Sequence, residues 1–292
     1  MLAKSLLLFN NFCNSLIFFL KMFFRENFRN YIIHKTIVGN KFQKLVVLSN
    51  GPSLKDNIVK ILNQDSEYID SDFIMMNFAA SMDEFYQIRP RFFVISDPLF
   101  YNMDKYNKER VLKFYDNLNT RVDWILNVYV QYPWIKDSNY TKIFKNPFLN
   151  IVPMHSLIYN GIRKIRFPLM MRGLASANFG TVLHHAIHIG IILGYKEIDL
   201  YGADHTFFDG LVVTDKNEVC RKTEHVYDSN GIVEPLYHYF TGEKVPYTMT
   251  FFLKEYAKLY EGHEIMKAFA DYYNVKIINR TKHSMLDCYP RF

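Results

Sequence analysis

Cysteine is scarce: Cys13, Cys220 and Cys288 are the only three in 292 residues. They lie too far apart for a metal-binding spacing or a disulfide framework, so a reducing compartment is the simpler setting. Runs of like charge are also missing. The 35 basic and 29 acidic residues leave a formal charge of +6, spread along the chain without an arginine-rich stretch. Nucleic acid is therefore not expected as a partner, whereas anionic substrates or an anionic membrane surface would suit the mild excess. No uninterrupted apolar run reaches the roughly 18 residues that cross a bilayer comfortably. What the chain has in quantity is aromatic side chains, 17% of residues with 21 Tyr and 26 Phe. A core alone does not need so many, and some should line a cleft or touch lipid. The length suffices for one large core, and one main domain is expected.

The first 24 residues stand apart. Leu6–Phe9, Phe12, Leu16–Leu20 and Met22–Phe24 are apolar, while Asn10, Asn11, Asn14 and Lys21 interrupt them. On a helix, Asn14, Lys21 and Arg25 share a narrow polar stripe with Lys4 and Asn11 beside it. That pattern predicts a helix over residues 1–35 lying in a membrane interface, peripheral on the inner face of the cell membrane. Docking on the domain or an oligomer contact is the alternative. A signal peptide is disfavoured because Arg25, Arg29 and Lys35 follow in place of a small-residue cleavage site.

The stretch around which the rest is organised is Lys44-Leu-Val-Val-Leu-Ser-Asn-Gly-Pro-Ser-Leu-Lys55. A buried strand runs into a tight turn, and a helix starts near Ser53 with Leu54, Ile58 and Ile61 in register. Gly51 would let a ligand approach, Pro52 stiffens the turn, and Ser53 can cap a helix whose first N–H groups form an anion site. Further strands are expected at Asp72–Asn77, Arg91–Asp97, Ile198–Gly202 and Val275–Ile278. Asn50, Asn77 and Asp97 each end a strand, where open parallel sheets bind ligands. Asp70-Ser71-Asp72 precedes a strand and reads as a turn. The small-residue loop Arg172–Thr181 leads into an apolar helix, Val182–Leu193, and offers Ser176, Asn178, Gly180 and Thr181 to a phosphate or sugar. His184 and His188 have metal spacing but no third ligand, and helix packing is the better reading of both, as it is of His185. Gly202-Ala-Asp-His205 closes a strand. Residues from about 206 to 247, with His225 and His238, read as a lid without clear elements. His263 points inward from a final helix, Thr248–Tyr273. The fold expected is α/β, a Rossmann-like doubly wound, mostly parallel sheet. It forms a single domain over 41–292 with a lid insertion and an N-terminal amphipathic helix.

Asn50-Gly-Pro-Ser-Leu-Lys55 resembles the nucleotide-binding opening of the bacterial family 42 sialyltransferases. Gly194-Tyr-Lys-Glu-Ile-Asp-Leu-Tyr-Gly-Ala-Asp204 is similar to their later helix-to-strand segment. The resemblance implies an inverting, metal-independent glycosyltransferase with no cofactor and a histidine as general base. It implies a nucleotide-sugar donor, CMP-linked sialic acid or Kdo favoured, and a glycan or glycolipid acceptor at the cytoplasmic membrane surface. Asn50, Gly51 and Ser53, with Asn77 and Asp97, would hold the nucleotide, and Ser176–Thr181 the cytidine or donor carboxylate. The family has Asn where Asp97 stands, and a Tyr soon after its strand-end Asp where His205-Thr206-Phe207 stand. The base candidates are His205, beside Asp204, then His238, then His263. A UDP-sugar donor, a pterin pyrophosphokinase-like enzyme, a non-catalytic sugar-nucleotide binding protein and assembly as a homo-oligomer stay open.

Overall fold

Short apolar runs bounded by turn residues become strands wherever helices can cover both of their faces. The computed structural model of the chain describes residues 2–39, 42–65, 68–103, 108–177, 180–223, 232–240 and 243–291. In chain order the strands are β1 (Lys44–Leu48), β2 (Ser71–Met76), β3 (Phe92–Ile95), β4 (Leu126–Gln131), β5 (Leu149–Met154) and β6 (Glu197–Tyr201). The lid contributes β7 (Leu211–Val213), β8 (Val219–Thr223), β9 (Ile232–Pro235), β10 (Tyr237–Phe240) and β11 (Glu243–Pro246), and β12 (Lys276–Asn279) follows. Seven strands form one sheet in the order β12-β6-β1-β2-β3-β4-β5, and every pairing in it is parallel. This is the expected Rossmann-like α/β arrangement.

Side chains alternate between two cores, as the strand period requires. Leu45, Val47, Ile74, Met76, Phe92 and Val94 pack on one face with the Leu183–Ile192 and Met249–Tyr272 helices. Val46, Leu48, Met75, Phe93 and Ile95 pack on the other with the Leu54–Leu62 and Lys108–Arg121 helices. The chain winds outward from β1 to β5, then returns to place β6 on the other side of β1, with Lys44 opposite Glu197 and Leu48 opposite Tyr201. The strand order therefore reverses between β1 and β6, which is where this sheet type opens a ligand crevice.

The lid differs from the sequence expectation. It is not without elements: β7, β8 and β9 form one small antiparallel sheet and β10 and β11 another. Strands of three to five residues give too few periods for a pattern to stand out. Just before β7 the lid packs on the last long helix through aromatic contacts, Phe207 on Tyr256 and Phe208 on Phe252.

The N-terminal helix runs from Leu2 to Arg25, and of its polar stripe Asn14 is half-buried while Lys21 and Arg25 are exposed. Ser15, Phe18 and Met22 are buried, and Ser15 Oγ lies 2.7 Å from the Tyr159 hydroxyl. Ile162 N–H donates to the same Oγ at 3.0 Å, and Asn14 Nδ2 donates to the Asn160 carbonyl at 3.4 Å. Leu6 to Phe9, Phe12, Leu16, Ile17, Leu20, Phe23 and Phe24 all face outward. By length and composition Ser5–Arg25 could cross a membrane, with a mean hydropathy of 1.5, despite the interruptions that argued otherwise. The next residues belong to the domain. Ile32 sits in the core, Asn127 bonds both Ile37 N and Ile37 O, and buried Glu26 pairs with His155. Phe18 and Met22 of the helix and Ile32 after it thus share one core with the sheet.

Candidate functional site

At the reversal point the two turns close on each other. Ser49 N–H donates to Tyr201 O and Gly51 N–H to Gly202 O, both at 2.9 Å. Asp204 then reaches across from β6. Its Oδ2 accepts from Ser53 Oγ at 2.8 Å and its Oδ1 from Ser53 N–H at 3.3 Å. Ser53 does not cap its helix with its own side chain; its hydroxyl is spent on Asp204. A Cβ on Gly51 would lie 1.9 Å from Asp204 Oδ2 and 2.4 Å from Gly202 O. The close approach that Gly51 permits is thus to the chain itself, and the anion at this helix start is the Asp204 carboxylate. Pro52 lies exposed on the outside of the turn.

Further along the carboxyl edge is an open cleft of about 300 Å³. It brings together Asn77, Asp97, Gly180 and Thr181, four of the residues expected to bind a nucleotide. Side chains stitch the strand ends beneath it. Asn50 Nδ2 donates to Met76 O at 3.2 Å, and Ser96 N–H donates to Asn77 Oδ1 at 3.4 Å. Gln131 Nε2 donates to Ser96 O at 2.7 Å, and Ser156 Oγ donates to Gln131 Oε1 at 3.1 Å. Asn77 takes up a left-handed backbone, φ 49°, which this short amide tolerates. Asp97 Oδ1 accepts from Leu99 N–H at 3.0 Å, holding the turn after β3.

The same cleft holds a residue that sequence reasoning assigned to packing. His185 lies in its wall, with Nδ1 3.1 Å from Ser96 Oγ. Burial, and then the nearby His188 and His184, push its pKa down to about 3, so the ring is neutral near pH 7. His185 lies in the first turn of the helix that follows Gly180 and Thr181; that adjacency was the available signal. Gln131, the last residue of β4, was missed as well, although the strand-end rule applied to Asn77 would have found it.

Neither Asp204 nor His205 is among the residues lining this cleft. His205 is buried, with φ 53°, a strained conformation for a residue with a side chain. Its Nε2 lies 3.1 Å from His263 Nε2, and His263 Nδ1 lies 3.0 Å from the Tyr289 hydroxyl. The His184 ring sits 4.1 Å from that of His263. Burial lowers His205 to about 4 and His263 well below its ordinary value. Of two neutral rings facing each other, one donates and the other accepts, so this chain of contacts is satisfied internally. Neither ring lines the strand-end cleft, so neither is placed to reach an acceptor bound there. His238, on β10, stacks on Phe251 at 4.1 Å, away from this cluster.

The loop from Ser176 divides. Gly180 and Thr181 line the cleft, whereas Ser176 lines a separate cavity beside Arg166. Asn178 and His225 lie outside the described residues. His188 bonds Met170 O at 2.8 Å, which takes it away from His184 as a metal partner. Among the described residues, no group of three or more His, Cys, Asp or Glu could hold a metal ion. Comparison with family models, with curated proteins and with solved structures gives no match to this chain. The likeness to sialyltransferases rests on the two quoted segments alone.

Proposed function

We propose that this chain is a membrane-bound, inverting, metal-independent glycosyltransferase of the cytoplasmic membrane face. It moves a sugar from a nucleotide donor, a CMP-linked nonulosonate or Kdo in the first place, onto a surface glycan. The observation that supports this reading most is the cleft at the strand ends. It combines neutral hydrogen-bonding groups on Asn77, Gln131, Ser156 and Thr181 with one carboxylate, Asp97, and one neutral imidazole, His185. Such a set suits hydroxyl-rich ligands, whose orientation is fixed by a few well-placed polar groups. The leaving phosphate would sit at the start of the ten-residue Leu183–Ile192 helix, where peptide N–H groups favour negative charge. His185, fixed through Ser96, takes the proton of the acceptor hydroxyl as that oxygen attacks the anomeric carbon. The glycosidic bond to the nucleotide phosphate breaks on the opposite side, so the configuration inverts. In this assignment His185 replaces His205, whose ring is engaged with His263.

The outward apolar side of the N-terminal helix, with Lys21 and Arg25 exposed near its end, supports placement at a membrane surface. The test is thermal shift with CMP, UDP and ATP in the presence of a chelator, followed by turnover of the His185→Ala variant. CMP should raise the melting temperature without divalent metal, by the linkage of binding to stability. His185→Ala should lose about two to four orders of magnitude in kcat while nucleotide affinity is retained. Stabilisation by ATP only with Mg²⁺, and none by CMP or UDP, would overturn the glycosyltransferase reading in favour of a pyrophosphokinase. Nucleotide binding with no sugar transferred to water or acceptor would leave a binding protein.

A further inference from the structure

A second cavity, about 440 Å³, lies beyond the end of β5 between the Arg163–Met171 helix and the last long helix. Two polar groups in its wall have no hydrogen-bond partner among the described residues. Ser176 is 2% exposed and its hydroxyl makes no hydrogen bond, and Arg166 Nε is buried without an acceptor. Burying an unpaired hydroxyl carries a desolvation cost, and so does burying a guanidinium Nε–H without an acceptor. The backbone fixes both. Ser176 N–H donates to Leu157 O at 2.9 Å, and Ser176 bridges in parallel to Ile158. Arg166 is held in the first turn of its helix, where burial and then Arg163 lower its pKa without discharging it. Lys258, paired with Glu255 at 2.6 Å, and Glu261 also line or border the cavity. With Arg163 close to Arg166, basic groups outnumber the acidic Glu261 that faces them.

We propose that this cavity binds a phosphate group of the acceptor, Arg166 donating from Nε and Ser176 from its hydroxyl. The word acceptor rests on the glycosyltransferase reading above; the phosphate site itself rests on Arg166 and Ser176. Two observations connect the site to an acceptor. Ser176 and Gly180 belong to one loop, so the cavity and the sugar-nucleotide cleft are at most about 14 Å apart along four residues of chain. Tyr159 and Asn160, in the cavity wall, are the residues on which the N-terminal helix docks through Ser15 and Asn14. A phosphate carried by a lipid at the membrane surface would arrive at this corner.

The experiment uses the full chain in mild detergent, with inorganic phosphate and, separately, dodecyl phosphate in phosphatidylcholine vesicles as probes. Each is titrated with and without saturating CMP, so that occupation of the nucleotide cleft is controlled. Binding to at least one probe should persist with CMP present, weaken tenfold or more in Arg166→Gln and weaken several-fold in Ser176→Ala. Arg166→Lys keeps the charge but loses the Nε donor, and should fall between Arg166→Gln and the parent. Dodecyl phosphate alone binding assigns the site to a lipid phosphate; inorganic phosphate binding equally well assigns it to phosphate from any source. Equal affinity of the parent and both Arg166 variants for both probes overturns the site, whatever CMP does. An Arg166-dependent phosphate response without any nucleotide response keeps the site and removes the glycosyltransferase reading.

Discussion

Replacing Phe18 by alanine asks whether the N-terminal helix is part of the folded domain. Phe18 is 3% exposed, edge-on to Tyr159 at 5.0 Å and to Phe19 at 5.6 Å. Truncating a buried Phe costs about 3–5 kcal/mol when the surroundings cannot collapse. This helix has another way to relax: it can leave its groove, and the loss is then limited to the free energy of docking. Met22→Ala, at a fully buried site one turn later, would cost about 2–5 kcal/mol on the same scale. If the helix stays docked, the double variant is less stable than either single one. If it leaves, both single variants and the double variant lose the same amount. In either case Leu8→Ala, at a site 63% exposed, should change stability by no more than about 0.5 kcal/mol. Urea unfolding in mild detergent, followed by the fluorescence of Trp124 and Trp134, reads all four. Phe18→Ala unfolding at the same midpoint as Leu8→Ala would refute the docked helix.

Acid should weaken the fold before the carboxylates titrate. Burial lowers His188 and His205 to about 4 and His185 to about 3, so between these values and about 6.5 the unfolded chain binds more protons. Their contribution is complete above about pH 6.5 and is lost as the pH falls toward 4, on the order of 3 kcal/mol for each ring. The melting temperature should drop from pH 6.5 to 5, with a shallower slope in His188→Gln; a flat parent curve would contradict the buried neutral rings. Gly51→Ala would set a Cβ against Asp204 and the Gly202 carbonyl, and backbone must move to admit it. The expected loss is about 1–3 kcal/mol, and an unchanged melting temperature would show that the β1 and β6 turns do not touch.

Five of the seven strands, β1, β2, β3, β6 and β12, were legible because they are short continuous apolar runs with Asn, Asp or Gly at or just after their ends. β4 and β5, which end on Gln131 and Met154, were not singled out. Asn77 and Asp97 were found by position, and the structure puts them in one cleft with Gly180 and Thr181. The reversal point was misread in detail. A turn with one glycine before a helix looks the same whether a phosphate or a carboxylate of the same chain occupies it, and Asp204 lies 151 residues from Ser53. His185 was missed because an apolar helix hides which of its three histidines faces the strand ends. The inward Asn14 and Ser15 were missed for a related reason, since a polar stripe gives a direction only relative to whatever lies beside it.

The docked helix lies beside the Ser176 cavity. In a helix that merely covers a core, apolar side chains face in and polar ones face out. Here Asn14 and Ser15 meet Asn160, Tyr159 and Ile162, and most of the remaining circumference offers Leu and Phe to the surroundings. The outward face gains nothing from water, so on the membrane reading it is satisfied by lipid, and the docked face sets the angle at which the domain sits. The segment that takes the helix, Tyr159–Ile162, runs straight into the helix carrying Arg166 and lies beside Ser176. Attachment to the membrane and capture of an anionic headgroup would then depend on one short stretch of chain. Loosening Ser15 from Tyr159 should therefore weaken binding of dodecyl phosphate in vesicles more than binding of CMP. Tyr159→Phe, which removes one hydroxyl and keeps the ring against Phe18, is the variant that separates the two.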